Sequence, residues 1–135
     1  ILLMDAMCMG IADSTVDAVT IAFGIRNVAD VKQALVEIRR VLRDGGTVGI
    51  LEFGLPQGWL WRGVYSLYLN YILPVVGQVL TKDIRSYKYL RDTIRSFPSH
   101  SDFVKVLEGV GFVDCKYEEF LGGAVLLYFA RKGEN

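Results

Sequence analysis

The sequence predicts an α/β fold in which parallel strands are closed by an antiparallel hairpin. Two patterns lead there. Between Asp17 and Phe53 an apolar run, a helix-spaced segment, a Gly-Gly pair and a second apolar run follow one another, long enough for a βαβ unit, which needs about thirty residues or more. Near the end, two strand-like runs flank Gly122-Gly123, a hairpin signal.

The elements follow in order. Asp17–Phe23 (DAVTIAF) is a short, partly β-branched run and reads as a buried strand. Asp30 is the candidate N-cap of a helix over Asp30–Arg43. Val31, Ala34, Leu35, Ile38, Val41 and Leu42 form its apolar face, and Lys32, Glu37, Arg39, Arg40 and Arg43 its polar side. Gly45-Gly46 is expected to stop that helix. Thr47–Phe53 (TVGILEF) is a second strand, and the crossover makes it parallel to the first. A helical insert over 55–98 follows, rich in Trp, Tyr, Leu and Val, with a polar helical stretch over Ser86–Phe97. Ser99–Val110 reads as an amphipathic helix capped by Ser99 and ended by Gly111, with Phe103, Val104, Leu107 and Val110 on its face. Val113–Leu121 and Ala124–Lys132 are the hairpin strands, the last expected antiparallel to Thr47–Phe53 and beside it.

Composition narrows the function. The chain has 135 residues, the size of one domain or part of a larger one. Fifteen Lys+Arg balance fifteen Asp+Glu, which argues against a general nucleic-acid binder. A hydrophobic share of 52% argues against disorder. Two cysteines, Cys8 and Cys115, are too few for a disulfide framework or a four-ligand zinc site, and a single histidine, His100, excludes a poly-imidazole site. No metal site is expected, and His100 is given no role. No uncharged apolar stretch reaches the roughly 18 residues of a membrane span; Val64–Leu80 comes nearest, interrupted by Asn70 and Pro74. With no cleavable leader in view, a cytoplasmic location is the default expectation. The chain opens in mid-strand at Ile1–Met4, which suggests a fragment.

Three groups of residues carry a resemblance. The first is Asp5-Ala6-Met7 followed by Asp13-Ser14-Thr15-Val16-Asp17-Ala18-Val19. The second is Phe23-Gly24-Ile25-Arg26-Asn27-Val28, with Leu42-Arg43-Asp44-Gly45-Gly46 and Leu51-Glu52-Phe53 behind it. The third is Ser86-Tyr87-Lys88-Tyr89-Leu90, then Ser96-Phe97-Pro98 and Gly111-Phe112. Together they resemble the ubiquinone/menaquinone-biosynthesis C-methyltransferase family over nearly the whole chain. The helix-Gly-Gly-strand part is shared by most class I methyltransferases; FGIRN, LEF and SYKYL at these distances are far more specific.

The resemblance implies the C-terminal part of a class I methyltransferase (Rossmann-like) fold. Residues 1–135 would form a partial methyltransferase domain without its glycine-rich loop, and 55–98 a helical lid that covers substrate. It implies methyl transfer from S-adenosyl-L-methionine to a ring carbon of a prenylated quinol, demethylmenaquinol being favoured. Another class I small-molecule or lipid methyltransferase and a non-catalytic lipid-binding assembly subunit are the alternatives. Asp5 and Ala6 match positions beside the adenine, where a carboxylate accepts from the exocyclic amine; Asp5 as a plain turn cap is the competing reading. Ala22 and Phe23 lie under the sulfonium, unless Phe23 is simply a core aromatic.

Arg26 is the candidate for chemistry. A guanidinium stays charged, so it suits a developing phenolate or a proton-shuttling water rather than the role of base; a surface salt bridge is the alternative. Asn27 is assigned to a quinol oxygen, and Glu52 to pairing with Arg26 or accepting a proton. Tyr87 and Tyr89 are candidates for the quinol pocket, and the aromatic insert for the prenyl tail and peripheral membrane contact. A homo-oligomer or a quinone-biosynthesis assembly is a further implied partner. Two departures stand out. The family's proline-containing loop is replaced by Cys8-Met9-Gly10-Ile11-Ala12, which predicts a looser segment, and Asp44 replaces a proline. As a fragment, the chain is expected to leave Ile1–Met4 without a ladder partner, to make Asp17–Phe23 an edge strand, and to associate with itself.

Overall fold

The computed structural model describes residues 3–56, 58–67, 70–71, 84–98 and 100–134. Its elements are β1 (Val16–Ala22), α1 (Val31–Val41), β2 (Leu42–Phe53), α2 (Trp59–Leu67), α3 (Ile84–Ser96), α4 (Ser101–Val110), β3 (Phe112–Phe120) and β4 (Val125–Lys132). Among the described residues the strands make one sheet in the order β1-β2-β4-β3. β1 runs parallel to β2; β4 is antiparallel to β2 and to β3. The closing strand therefore lies where the sequence places it.

One side of the sheet holds the core. On α1, Ala34, Leu35, Ile38 and Val41 are buried, as the periodicity requires. They share a cluster with Val48 and Ile50 of β2, Phe103 and Leu107 of α4, and Leu126 and Tyr128 of β4, although Val41 itself is buried beside the cluster rather than within it. Asp30 caps α1, its carboxylate accepting the Gln33 N–H at 3.0 Å. The opposite side is more open: Ala18, Thr20 and Ala22 of β1 are exposed.

Several boundaries differ from the expectation. α1 ends at Val41, not Arg43, because Leu42 is already extended (φ −66°, ψ 139°). Gly45-Gly46 does not stop the helix; it lies inside β2. The pairing jumps from Val16↔Leu42 to Ala18↔Thr47, so β2 carries extra residues against β1 there. Gly45 takes φ +78°, and a Cβ on Gly46 would sit 2.8 Å from the Arg43 oxygen. Ser99 lies outside the described residues; His100 occupies the cap position of α4 with φ 57° and gives no side-chain capping bond. Glu37, assigned to the polar side of α1, is 8% exposed. Leu3 and Met4 belong to no ladder, while Ile1 and Leu2 lie outside the described residues. Among the described residues β1 is an edge.

Lys132 braces the end of the sheet remote from the site. Its buried ammonium donates to the Leu42 carbonyl at 2.7 Å and the Ser14 hydroxyl at 3.1 Å, with Asp44 at 3.5 Å. Lys132→Met leaves the Leu42 carbonyl without that donor. The expected loss is about 1 to 3 kcal/mol in urea unfolding, and an unchanged midpoint would show that the contact contributes nothing.

Candidate functional site

The carboxyl ends of β1 and β2 meet in a small polar cluster. β1 ends at Ala22, and the Phe23 N–H still donates to the Leu51 carbonyl at 2.8 Å. Phe23 then turns to φ 53°, a left-handed conformation uncommon for an aromatic residue. Gly24 follows, and Ile25–Asn27 forms a short 3₁₀ turn closed by Asn27 N–H to the Gly24 carbonyl at 3.0 Å. That turn carries Arg26 over β2.

Arg26 Nη1 and Glu52 Oε2 form an ion pair, with the side chains 8% and 0% exposed. The Arg26 N–H lies 3.5 Å from Glu52 Oε1, and the Phe53 N–H donates to Glu52 Oε2 at 3.2 Å. The guanidinium carbon is 5.2 Å from the centre of the Phe53 ring, which stacks on Phe23 at 4.4 Å. Arg26 Nε is buried and has no hydrogen-bond partner among the described residues. The surface-salt-bridge alternative for Arg26 is therefore replaced by a buried pair. Glu52 is the partner of Arg26, a role read from the sequence.

The other candidates divide. Asn27 is exposed and its amide is 3.5 Å from the Phe23 carbonyl. Ala22 is exposed and Phe23 half-buried. α3, which bears Tyr87 and Tyr89, packs against the Ile25–Asn27 turn, and the Tyr89 side chain is exposed. The Tyr87 side chain lies outside the described residues.

Asp5 and Ala6 share no hydrogen bond with the Arg26 cluster among the described residues. Asp5 Oδ1 accepts the Met7 N–H at 2.8 Å and the Asp5 carbonyl accepts the Cys8 N–H at 3.1 Å, so the turn-cap reading of Asp5 is realised. The residue is nonetheless exposed, and the Ala6 N–H has no partner among the described residues. A carboxylate and an adjacent unused N–H suit the amine and ring nitrogen of a purine edge, so these residues fit the implied cofactor.

The loop after Asp5 is not loose. Met9 donates its N–H to Glu37 Oε1 at 2.7 Å and accepts from Arg40 Nη2 at 3.0 Å. Arg40 also bonds Glu37 through Nε at 2.9 Å and Nη2 at 2.7 Å, and pairs with Asp13. The hydrogen bond from Arg40, followed by that from the Met9 N–H, outweighs burial and holds the Glu37 carboxyl below its ordinary value. Sequence reading missed this network; the signal was an acid and an arginine three apart on one helix.

His100 was also passed over. Its N–H donates to the Tyr128 hydroxyl at 2.8 Å, its ring meets Tyr117 edge-on, and Nε2 is 3.7 Å from Glu119. Burial pushes the Tyr128 phenol up. A Cβ on Gly123 would lie 3.3 Å from His100 Nε2 and 3.4 Å from Pro56 Cα, so the β3–β4 turn, the loop after β2 and the start of α4 close tightly on one another. Among the described residues no group of three or more His, Cys, Asp or Glu is arranged to hold a metal, and no helix is long and apolar enough to cross a membrane.

The sequence pattern of the ubiE/COQ5 methyltransferase family matches residues 1–132. The chain is 41% identical over 128 residues to the "Ubiquinone/menaquinone biosynthesis C-methyltransferase UbiE" of Teredinibacter turnerae, covering 95% of this chain and 51% of the relative. It is 37% identical to the "Demethylmenaquinone methyltransferase" of Bacillus velezensis, covering 95% and 55%. The chain thus spans about half the length of these curated relatives. Among solved structures, phosphoethanolamine N-methyltransferase 2 of Haemonchus contortus, in complex with S-adenosyl-L-methionine, superposes with a TM-score of 0.63. The identity is 15%, covering 96% of this chain and 36% of that one. Such a likeness establishes the fold, that of class I methyltransferases.

Proposed function

The chain belongs to the ubiE/COQ5 methyltransferase family, and we propose that the protein transfers a methyl group from S-adenosyl-L-methionine to a ring carbon of a prenylated quinol, with demethylmenaquinol as the favoured acceptor. The observation that carries the reading is the buried Arg26–Glu52 pair at the carboxyl ends of two parallel strands, where ligands of open α/β sheets bind.

The cofactor supplies an electrophilic methyl group on a sulfonium. The chain's task is the acceptor. A ring carbon becomes nucleophilic when the neighbouring hydroxyl loses its proton, and negative charge then develops on that oxygen. Arg26 supplies a fixed positive charge, and its buried Nε–H has no partner among the described residues. Glu52, with both oxygens turned to Arg26 and the local backbone, holds the guanidinium in place. Asn27, at the surface of the same turn, is assigned to a quinol oxygen, and the helix carrying Tyr87 and Tyr89 to the pocket wall. Asp5 and Ala6 are assigned to the adenine edge, Ala22 and Phe23 to the sulfonium side. Exposed Trp59 and Tyr71 favour contact with a membrane surface, from which a prenylated acceptor would be taken.

The test uses the protein at its full natural length with methyl-labelled S-adenosyl-L-methionine. Label is expected on a ring carbon of demethylmenaquinol, and to a lesser extent of a methoxy-polyprenyl-benzoquinol. Labelling of neither quinol by a folded, cofactor-binding protein would overturn the assignment.

A further inference from the structure

We infer that Glu37 and Arg40 are positioning residues that set the Asp5–Met9 segment for recognition of the adenine edge. The inference rests on the assignment of Asp5 and Ala6 to the cofactor.

Ala6, Met7 and Met9 lay partly buried side chains against the core, but the backbone that follows them needs holding. Gly10 has open space around it, and no proline stiffens Cys8–Ala12. What holds it is the end of α1. Both backbone polar groups of Met9 are taken by that helix, the N–H by Glu37 and the carbonyl by Arg40. The two side chains are locked to each other through two bonds, and the same guanidinium reaches Asp13 at the far end of the loop. Backbone bonds from Ser14 and Thr15 to the Arg40 and Val41 carbonyls, at 3.0 and 2.9 Å, continue the attachment into β1. From Met9 the constraint passes to Asp5 through one tight turn, Cys8 N–H to the Asp5 carbonyl and Met7 N–H to the Asp5 carboxylate. A nearly buried carboxylate beneath a glycine-containing loop is costly unless it is paired. Here the pairing holds the backbone of Met9, whose side chain packs against the core.

The experiment compares affinities of the full-length protein for S-adenosylhomocysteine and S-inosylhomocysteine by calorimetry. The second ligand lacks the exocyclic amine that Asp5 would receive. Glu37→Gln and Arg40→Lys are expected to reduce the preference for the adenine ligand roughly tenfold. Exchange of the Met9 amide with deuterium should rise in the ligand-free protein by a similar factor. Arg40→Lys keeps the charge and serves if Glu37→Gln does not fold. Faster Met9 exchange with an unchanged preference would overturn the positioning role. Asp5→Ala, which removes the side-chain acceptor, separates the two levels. If it leaves the preference intact, the adenine assignment itself is wrong. If it abolishes the preference while the α1 variants do not, only the inference about Glu37 and Arg40 fails.

Discussion

Arg26→Ala in the full-length protein is expected to lower turnover about 100- to 1000-fold, the usual loss when one donor to developing charge is removed. Cofactor affinity should change far less. The structure adds a complication that sharpens the test. Glu52 is fully buried, so removing Arg26 strands a carboxylate and should destabilise the fold by about 3 to 5 kcal/mol. Arg26→Ala combined with Glu52→Gln removes that burden. The double variant should regain most of the lost stability in urea and none of the lost turnover. Recovery of both together would reduce Arg26 to a structural residue. Glu52→Gln alone should cost less turnover than Arg26→Ala, and its effect should largely vanish once Arg26 is absent.

Phe103→Ala should lower stability by about 3 to 5 kcal/mol through loss of core packing. The side chain is fully buried on α4, with ring centres 4.9 Å from Phe97 and 4.7 Å from Tyr128. It therefore joins the end of α3, the start of α4 and β4. Phe103→Leu retains most of the volume and should cost markedly less. Equilibrium denaturation of the two variants checks both figures; equal losses would show that the ring contacts, and not the buried volume, carry the stabilisation.

Much of the sheet was legible because it depends on local pattern. The apolar runs gave four strands to within a few residues, except for the start of β2. There the Gly-Gly pair invited a helix stop, whereas Leu42 leaves the helix first and the glycines serve a widened pairing against β1. The site was legible to different degrees. Arg26 with Glu52 could be paired from their places at strand ends. The placing of Glu37 was wrong because helix periodicity sees the core face and not a loop laid across the helix side. The loop Cys8–Ala12 was expected to be looser for want of a proline, yet hydrogen bonds from a helix replace the ring's restriction of φ. His100 offered no periodic signal at all, and its burial arises from the meeting of three segments.

The strand order also governs the sequence of events by which the sheet comes together. β1, α1 and β2 are neighbours along the chain, and so are α4, β3 and β4; each set can nucleate on its own contacts. The seam between β2 and β4 is different, since its paired residues, from Thr47↔Arg131 to Phe53↔Val125, lie roughly 70 to 85 residues apart and their union must overcome the entropy of closing a long loop. Arg26 and Glu52 come from the first set, His100, Glu119 and Gly123 from the second. The Arg26–Glu52 pair can therefore form within the first set, whereas the approach of Gly123 to Pro56 waits for the seam to zip.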